Sequence, residues 1–288
     1  MGIPYRLCIR HPDDSRRTAG VCRKPPLATK EYKDQISIKI GLECEYFPEY
    51  IPWLKGVIKE YQLDYIIFGN HHFHTDEKFP YFGRNTHTVD MLELYEESAI
   101  EGMESGLFAY LAHPDLFMRS YPEFDRHCKL VSRHICRTAA RLNLPLEYNI
   151  GYEDYNDEHG ITTIPHPAFW EIAAHEGCTA IIGVDAHNNQ YLETPFYYDR
   201  ANETLQKLGM KVTDRIPFLN ENNVCDNRSP YSLIQSTHQK FPSHHQFLTK
   251  GGGSEMYIQR LVTDIEITGI ACRRSQHLRP GIQPTAAH

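Results

Sequence analysis

Five short hydrophobic runs in this chain each end in a residue that can bind a metal ion, and this arrangement most constrains the fold. The runs end at Glu43, at the pair His71 and His72, at His113, at Asn149, and at Asp185 with His187 close behind. Side chains at the carboxyl ends of successive strands meet on one face when the strands form a parallel sheet or barrel. The sequence therefore predicts a metal site on that face.

Helical patterns follow these runs and complete five strand–helix units. Apolar residues recur at helical spacing in the segments 52–61, 89–105, 128–142, 168–176 and 201–208. Strands that alternate with helices imply a parallel sheet with right-handed crossovers. An open doubly wound sheet and a closed barrel both satisfy this alternation, so the pattern alone leaves the two architectures open.

Composition sets the class of protein. With 288 residues, of which 41% are hydrophobic and 23% charged, the chain can form one sizeable core. Its apolar runs are shorter than the roughly 20 residues needed to span a bilayer, and its start lacks the apolar region of a signal peptide. The eight cysteines are scattered without a C-x-x-C pair, which suits a reducing compartment. We expect a cytoplasmic protein without cysteine ligands.

Charge is divided unevenly along the chain. Residues 1–34 carry a net charge of +4 and residues 225–288 one of +3, so within a total of −7 residues 35–224 carry −14. An acidic central region repels nucleic acid, whose affinity for proteins depends on Lys and Arg. A small substrate attracted by bound cations fits this region better than a nucleic acid does.

The two ends of the chain differ from its middle. Residues 1–34 show no clear period, and residues 221–288 contain an Asn-rich stretch, a Gly-Gly-Gly-Ser stretch and a Pro-rich finish. We expect a divergent amino-terminal segment over 1–34, a catalytic domain over 35–220, and a flexible tail over 221–288.

The motifs that close the runs resemble those of the polymerase and histidinol phosphatase (PHP) family. They are Gly-Leu-Glu-Cys-Glu-Tyr (41–46), Phe-Gly-Asn-His-His-Phe (68–73), Leu-Ala-His-Pro-Asp-Leu-Phe (111–117), Leu-Glu-Tyr-Asn (146–149) and Ile-Gly-Val-Asp-Ala-His (182–187). Tyr-Phe-Gly-Arg (81–84), Pro-His-Pro-Ala-Phe-Trp-Glu-Ile-Ala (165–173) and Asp-Ala-His-Asn (185–188) are similar to its histidinol-phosphatase branch. The resemblance implies a distorted, TIM-like (β/α)7 barrel that hydrolyses histidinol phosphate in histidine biosynthesis.

The same resemblance implies roles for individual residues. Glu43 would be a carboxylate that bridges two metals, and His72 and His113 would join it on one of them. Asp185 and His187 would bind the neighbouring metals, and with Glu43 they would form the catalytic set. His71 or His74 is the alternative to His72 at its position.

Inorganic chemistry is consistent with such a site. Zinc, manganese and iron accept mixed imidazole and carboxylate ligands, and members of the family hold two or three such ions. Two ions about 3.5–4 Å apart can activate water for in-line attack on phosphorus and stabilise the leaving oxygen. Arg84 and Arg119 follow ligand-bearing runs, where a guanidinium can clamp a phosphate.

One feature of the family is missing from this chain. Its members begin with a strand ending in a His-x-His pair, whereas here the only histidine before residue 71 is His11. The first one or two strand–helix units of the barrel are therefore expected to be absent or replaced, with fewer bound ions and an exposed sheet edge that can alter stability and makes an oligomer possible. Two alternatives follow: a degenerate domain that binds a metal or partner without turnover, and a nuclease module of a DNA polymerase, which the acidic central region disfavours.

Overall fold

Parallel strands form the centre of the molecule. The computed structural model describes residues 38–74, 81–186 and 192–219. Within them the strands are β1 (Gly41–Cys44), β2 (Tyr65–Phe68), β3 (Leu146–Asn149), β4 (Thr179–Gly183) and β5 (Lys211–Val212). The pairs β1–β2, β3–β4 and β4–β5 are all parallel. The predicted segment 1–34, the tail 221–288 and His187 lie outside the described residues.

The segment 107–112 joins these pairs into one sheet. The N–H of Ala109 donates to the Ile66 carbonyl at 2.8 Å, and the N–H of Ala112 donates to the Phe68 carbonyl at 2.9 Å. On the other side, the N–H of Glu147 donates to the Leu111 carbonyl at 2.9 Å, and Leu111 forms parallel bridges to both neighbours. The predicted run at 107–112 is thus an extended segment between β2 and β3.

Strand order separates the two architectures that the sequence left open. The strands follow one another in chain order from β1 to β5, without the reversal that defines a doubly wound sheet. Consecutive parallel strands with crossovers of one hand curve toward a barrel. Across the described ranges β1 and β5 do not pair with each other, so the structure shows a mixed α/β fold with a parallel sheet and no closed barrel.

The helices fall where the apolar periodicity places them, except that the last one begins five residues before the predicted segment 201–208, and two short helices are added. They are α1 (Ile51–Tyr61), α2 (Phe82–Asn85), α3 (Val89–Glu104), α4 (Arg126–Leu142), α5 (Glu153–His159), α6 (Pro167–His175) and α7 (Phe196–Lys207). Short 3-10 turns occupy Pro48–Tyr50, Leu116–Arg119 and Ile150–Tyr152. Both α2 and α5 are too short to show an apolar period, which explains why the pattern missed them.

The two faces of the sheet have different neighbours, because side chains alternate along a strand. Leu42, Ile66 and Leu146 belong to the main core, which they share with the helices. The odd-numbered Ile67 and Ile181 belong to a smaller apolar cluster on the opposite face. Glu43 and Glu147 share the odd parity, so this inner face becomes polar toward the carboxyl ends of the strands.

Helix α3 lies very close to β2. At Gly102 an added Cβ would collide with the buried Phe68 ring, which stacks on Phe108 with ring centroids 4.9 Å apart. Only a glycine permits this approach without moving the ring. The contact fixes the position of α3 relative to β2, the strand that leads to His71.

The described cysteines are buried thiols. Cys44, Cys128, Cys136 and Cys178 are all free and buried. Burial raises the pKa of the Cys128 thiol to about 12 and holds the pKa values of Cys44 and Cys136 well above the usual range. None of the helices in the described ranges combines the length and apolar character needed to cross a membrane.

Candidate metal centre

Glu43, His71 and His113 form a cluster of potential metal ligands at the carboxyl edge of the sheet. Their ligand atoms all lie within 4.8 Å of one another. Nε2 of His113 is 3.0 Å from Oε1 of Glu43, and Nε2 of His71 is 3.5 Å from the same oxygen. The side chains of Glu43 and His113 are only 8% and 4% exposed, whereas that of His71 is 24% exposed. The cluster can bind a metal ion.

Two residues with a left-handed backbone conformation turn the chain so that the histidines lie at the cluster. Asn70 has φ of 29° and His113 has φ of 28°, a conformation that asparagine tolerates better than other residues do. Tyr95 of α3 holds both turns, because its carbonyl accepts from Asn70 Nδ2 at 3.2 Å and its hydroxyl donates to the Pro114 carbonyl at 2.9 Å. Packing of α3 therefore sets the geometry of both loops.

Glu45 is a second carboxylate beside the cluster. Its Oε1 lies 2.6 Å from Nδ1 of His71, and its Oε2 accepts from the N–H groups of His71 at 2.9 Å and His72 at 3.2 Å. Burial alone would raise the pKa of Glu45, but the charge and hydrogen bond of His71 leave it below the usual range.

The carboxylates also control the charge of His71. Burial opposes its protonation, yet the charge and hydrogen bond of Glu45, followed by the charges of Glu43 and Asp185, raise the pKa of His71 to about 9. At His113 burial and the positive charge of His71 lower the pKa instead. Without a metal, the cluster therefore combines a cationic and a neutral imidazole at neutral pH.

Glu147 supports the turn at His113 from β3. Its Oε2 accepts from the His113 N–H and from Asn149 Nδ2, both at 3.1 Å, and the residue is 2% exposed. Burial raises the pKa of Glu147 to about 7. A Cβ at Gly183 would collide with Oε1 of Glu147, so this carboxyl group fits only because β4 has a glycine there.

The structure places the other predicted ligands differently. His72 donates its backbone N–H to Glu45, and its ring lies 5.9 Å from that of Tyr81 rather than in the cluster. Asp185 follows β4 with φ of 49° and acts electrostatically on His71. His74 pairs with Glu101 on α3, Nε2 to Oε2, at 2.5 Å. The ligand roles predicted for His72, Asp185 and His187 stay predictions.

The two predicted phosphate-binding arginines have different surroundings. Arg119 is half-buried, and its Nη1 donates to the hydroxyls of Tyr81 at 3.3 Å and Tyr152 at 3.2 Å. Its guanidinium lies 4.7 Å from the Tyr152 ring centre. The Tyr81 ring in turn stacks on His71 with centroids 5.5 Å apart. Arg119 therefore lies beside the cluster, whereas Arg84 is exposed on α2.

Sequence reasoning overlooked four residues of this site, namely Glu45, Tyr81, Glu147 and Tyr152. Glu45 and Glu147 carried a usable signal, because each occupies an odd position on or just beyond a strand whose odd side chains face inward. Tyr81 opens the quoted motif Tyr-Phe-Gly-Arg, but nothing in the sequence linked it to Arg119, and Tyr152 carried no signal, because only the folded chain brings the two tyrosines to that guanidinium.

The fold and the cluster together define an α/β protein whose consecutive parallel strands carry a potential His/Glu metal site at their carboxyl ends. No family model and no curated protein matches the chain. Among solved structures, the fold is similar to that of a histidinol phosphate phosphatase from Lactococcus lactis subsp. lactis in complex with zinc, L-histidinol and phosphate. The TM-score is 0.50 at 18% identity, covering 66% of this chain and 73% of that one. At this identity the likeness shows the fold.

Proposed function

We propose that the protein is a metal-dependent phosphate-monoester hydrolase that converts histidinol phosphate to histidinol and phosphate in histidine biosynthesis. The observation that carries this proposal is the cluster of Glu43, His71 and His113 with Arg119 close by. A metal site beside a guanidinium suits a phosphate ester. The similar fold of a histidinol phosphate phosphatase and the motifs at 41–46, 111–117 and 182–187 support the same substrate and a (β/α)7 barrel.

The donor set fits a divalent ion. A carboxylate and two imidazoles are ligands that zinc, manganese and iron accept, and Nδ1 of His113 is buried without a hydrogen-bond partner within the described residues. When bound, such an ion lowers the pKa of water and withdraws charge from phosphoryl oxygens. Glu43, His71 and His113 would hold it, with His72, Asp185 and His187 as predicted further ligands.

Arg119 would bind and orient the phosphate. Both of its hydrogen bonds to described residues leave from Nη1, so the Nε–Nη2 edge can face two phosphate oxygens. No carboxylate within the ranges 38–74, 81–186 and 192–219 pairs with this guanidinium. The Tyr81 and Tyr152 hydroxyls hold its plane without neutralising its charge, which remains for the substrate.

The alternative function is a metal-binding domain without turnover. The missing His-x-His pair favours it, because a cluster of three donors holds one ion, whereas the two-ion chemistry of phosphate transfer needs more ligands. In this alternative Glu43, His71 and His113 still bind a metal ion, but Arg119 binds no phosphate ester.

One experiment separates the two functions. Metal content of the purified protein is measured by elemental analysis, and phosphate release from histidinol phosphate and from 4-nitrophenyl phosphate is followed on the same sample. We expect at least two equivalents of metal and a hundredfold preference for histidinol phosphate. One equivalent or none, with no turnover at saturating manganese or zinc, would support the alternative.

Two variants test whether the bound metal lies at the cluster. His113→Ala removes a buried donor of the cluster, whereas His175→Ala changes a side chain that is 81% exposed at the end of α6. Loss of metal in the first variant and retention in the second is expected. Equal metal content in both would place the ion elsewhere.

A further inference from the structure

Glu45 contacts three groups of the segment that carries His71. Its Oε1 faces Nδ1 of His71 at 2.6 Å, while its Oε2 accepts from two consecutive backbone N–H groups, those of His71 at 2.9 Å and His72 at 3.2 Å. The carboxylate side chain is 10% exposed. One side chain thus fixes both the backbone and the ring of a residue that the rest of the protein leaves 24% exposed.

The chemistry of this contact selects one tautomer of His71. An ionised carboxylate only accepts hydrogen bonds, so Nδ1 must carry the hydrogen that lies between the two groups. When a metal displaces the second proton of the ring, Nε2 presents its lone pair on the other side, where Glu43 Oε1 lies 3.5 Å away. A metal ion needs that lone pair.

The two histidines of the cluster are held by different means. His113 is fixed by burial, since its side chain is 4% exposed, and its Nδ1 has no partner within the described part of the chain. His71 is more exposed, and its ring packs on those of Tyr81 and His113, but these ring contacts do not determine which nitrogen carries the hydrogen. A hydrogen-bonded carboxylate performs that task for many metal-binding histidines.

We infer that Glu45 is a positioning residue that holds His71 as the Nδ1–H tautomer with Nε2 directed at the metal site. This inference rests on the proposed function to the extent that an ion binds at the cluster. It also assigns His71, rather than His72, as the imidazole that Glu45 prepares, because Nδ1 of the His71 ring faces this carboxylate, whereas His72 donates its backbone N–H to it.

A surface pair supplies a matched control. Nδ1 of His134 on α4 lies 2.6 Å from Oε1 of Glu96 on α3, the same atoms at the same distance. That histidine is 50% exposed and lies outside the cluster. If Glu45 merely forms an ion pair, its removal should affect metal binding as little as removal of Glu96.

The test uses the full chain, loaded with zinc, in two measurements. In the wild type, two-bond nitrogen–proton correlations identify which nitrogen of His71 carries the hydrogen. In parallel, zinc affinity is measured by competition with a chromophoric chelator for the wild type, Glu45→Gln and Glu96→Gln. Glutamine keeps an acceptor for the backbone N–H groups but can also donate to Nδ1, so it no longer selects a tautomer.

We expect Nδ1–H with zinc on Nε2, a loss of about 10- to 100-fold in zinc affinity for Glu45→Gln, and unchanged affinity for Glu96→Gln. Zinc on Nδ1 of His71, or equal affinity in the wild type and Glu45→Gln, would overturn the inference while leaving the proposed function intact. Failure of the wild type to bind zinc would overturn the inference, and failure to bind manganese and iron as well would overturn the proposed function. The wild-type spectrum decides the question even if Glu45→Gln does not fold.

Discussion

Glu147 illustrates how a buried carboxyl group can serve a site without touching a substrate. Its Oε2 accepts the N–H of His113 at the point where the backbone adopts φ of 28°. A left-handed conformation at a non-glycine residue costs about 1–3 kcal/mol and persists only when its surroundings hold it. The hydrogen bond from this turn to β3 is one such restraint.

Removal of that restraint should lower stability. We expect Glu147→Ala to reduce the free energy of unfolding by about 1–3 kcal/mol, because it leaves the buried His113 N–H without an acceptor. Glu147→Gln keeps an acceptor oxygen and should cost less. Urea unfolding followed by circular dichroism measures both, with the exposed Glu97→Ala as control. An alanine variant as stable as the glutamine variant would contradict the assigned role.

The two predicted phosphate-binding arginines provide a second prediction at the scale of single residues. Replacing Arg119 with lysine removes a planar guanidinium and should raise KM for the phosphate ester about 10- to 100-fold, since hydrogen bonds to charged groups contribute about 1.5–3 kcal/mol. The exposed Arg84→Lys should change KM less than twofold. Steady-state kinetics with histidinol phosphate compares the two, and a larger effect at Arg84 would reverse the assignment of the phosphate site.

At the same scale, sequence reasoning has a clear limit. Glu43 and His113 each close a hydrophobic run, which is why they could be predicted to lie at one edge of the sheet. The sequence could not decide whether His71 or His72 is the metal ligand, because the alternation of side chains ends where the chain turns at Asn70. The odd position of Glu45 indicated the face on which it lies but not its partner, since His71 is 26 residues away.

At the scale of elements, helices α4 and α6 are joined by one carboxylate. Glu176, which follows α6, accepts from Arg137 Nε at 2.9 Å and lies 3.4 Å from Arg133 Nε. The hydrogen bond and charge of Arg137 hold the pKa of Glu176 below its usual range. Because the folded state lowers this pKa, the stabilisation is present above pH 4.5 and is lost as the pH falls through the folded value.

The expected effect at Glu176 is small and depends on pH. Glu176→Gln should lower the free energy of unfolding by about 0.3–1 kcal/mol at pH 7, because both arginines are largely exposed and the pair is screened by solvent. The difference from the wild type should disappear toward pH 3. Thermal unfolding at several pH values measures it. A difference that grows as the pH falls would mean that Glu176 stabilises the fold by something other than its charge.

Helix and strand positions followed from periodicity more reliably than the architecture did. The apolar stripes of α1, α3 and α4 extend over ten residues or more, which explains their agreement with the sequence. The order of strands depends on which edges pair, and no local pattern encodes that. The predicted parallel α/β fold is confirmed, and closure into a barrel stays a prediction.

At the scale of the whole molecule, the chain after β5 returns to the start of the sheet. The N–H of Leu219 donates to the Asp64 carbonyl at 2.7 Å, and Phe218 packs on Tyr65 with ring centroids 6.2 Å apart. Ile216 joins the small apolar cluster on the inner face beside Ile67 and Ile181. The last strand and the second are therefore coupled across the inner face.

This coupling predicts one cooperative unfolding unit. Ile216→Ala removes a side chain that is 6% exposed and should cost about 2–5 kcal/mol of unfolding free energy. The whole transition should shift while remaining single. Ile161→Ala, at a side chain that is 42% exposed, is the control and should cost under about 0.5 kcal/mol. A separate early transition in the first variant would mean that the segment after β5 unfolds on its own.

The burial of Cys44 between the two glutamates at the end of β1 makes this thiol a reporter of the site. A thiol at this depth is alkylated only when β1 separates from its neighbours, so its labelling rate follows the opening of that strand. Cys136 and Cys178 report in the same way on α4 and on the approach to β4. An ion held by Glu43, His71 and His113 should slow labelling of Cys44 far more than that of the other two, which would reveal from one mass spectrum where along the chain the metal acts.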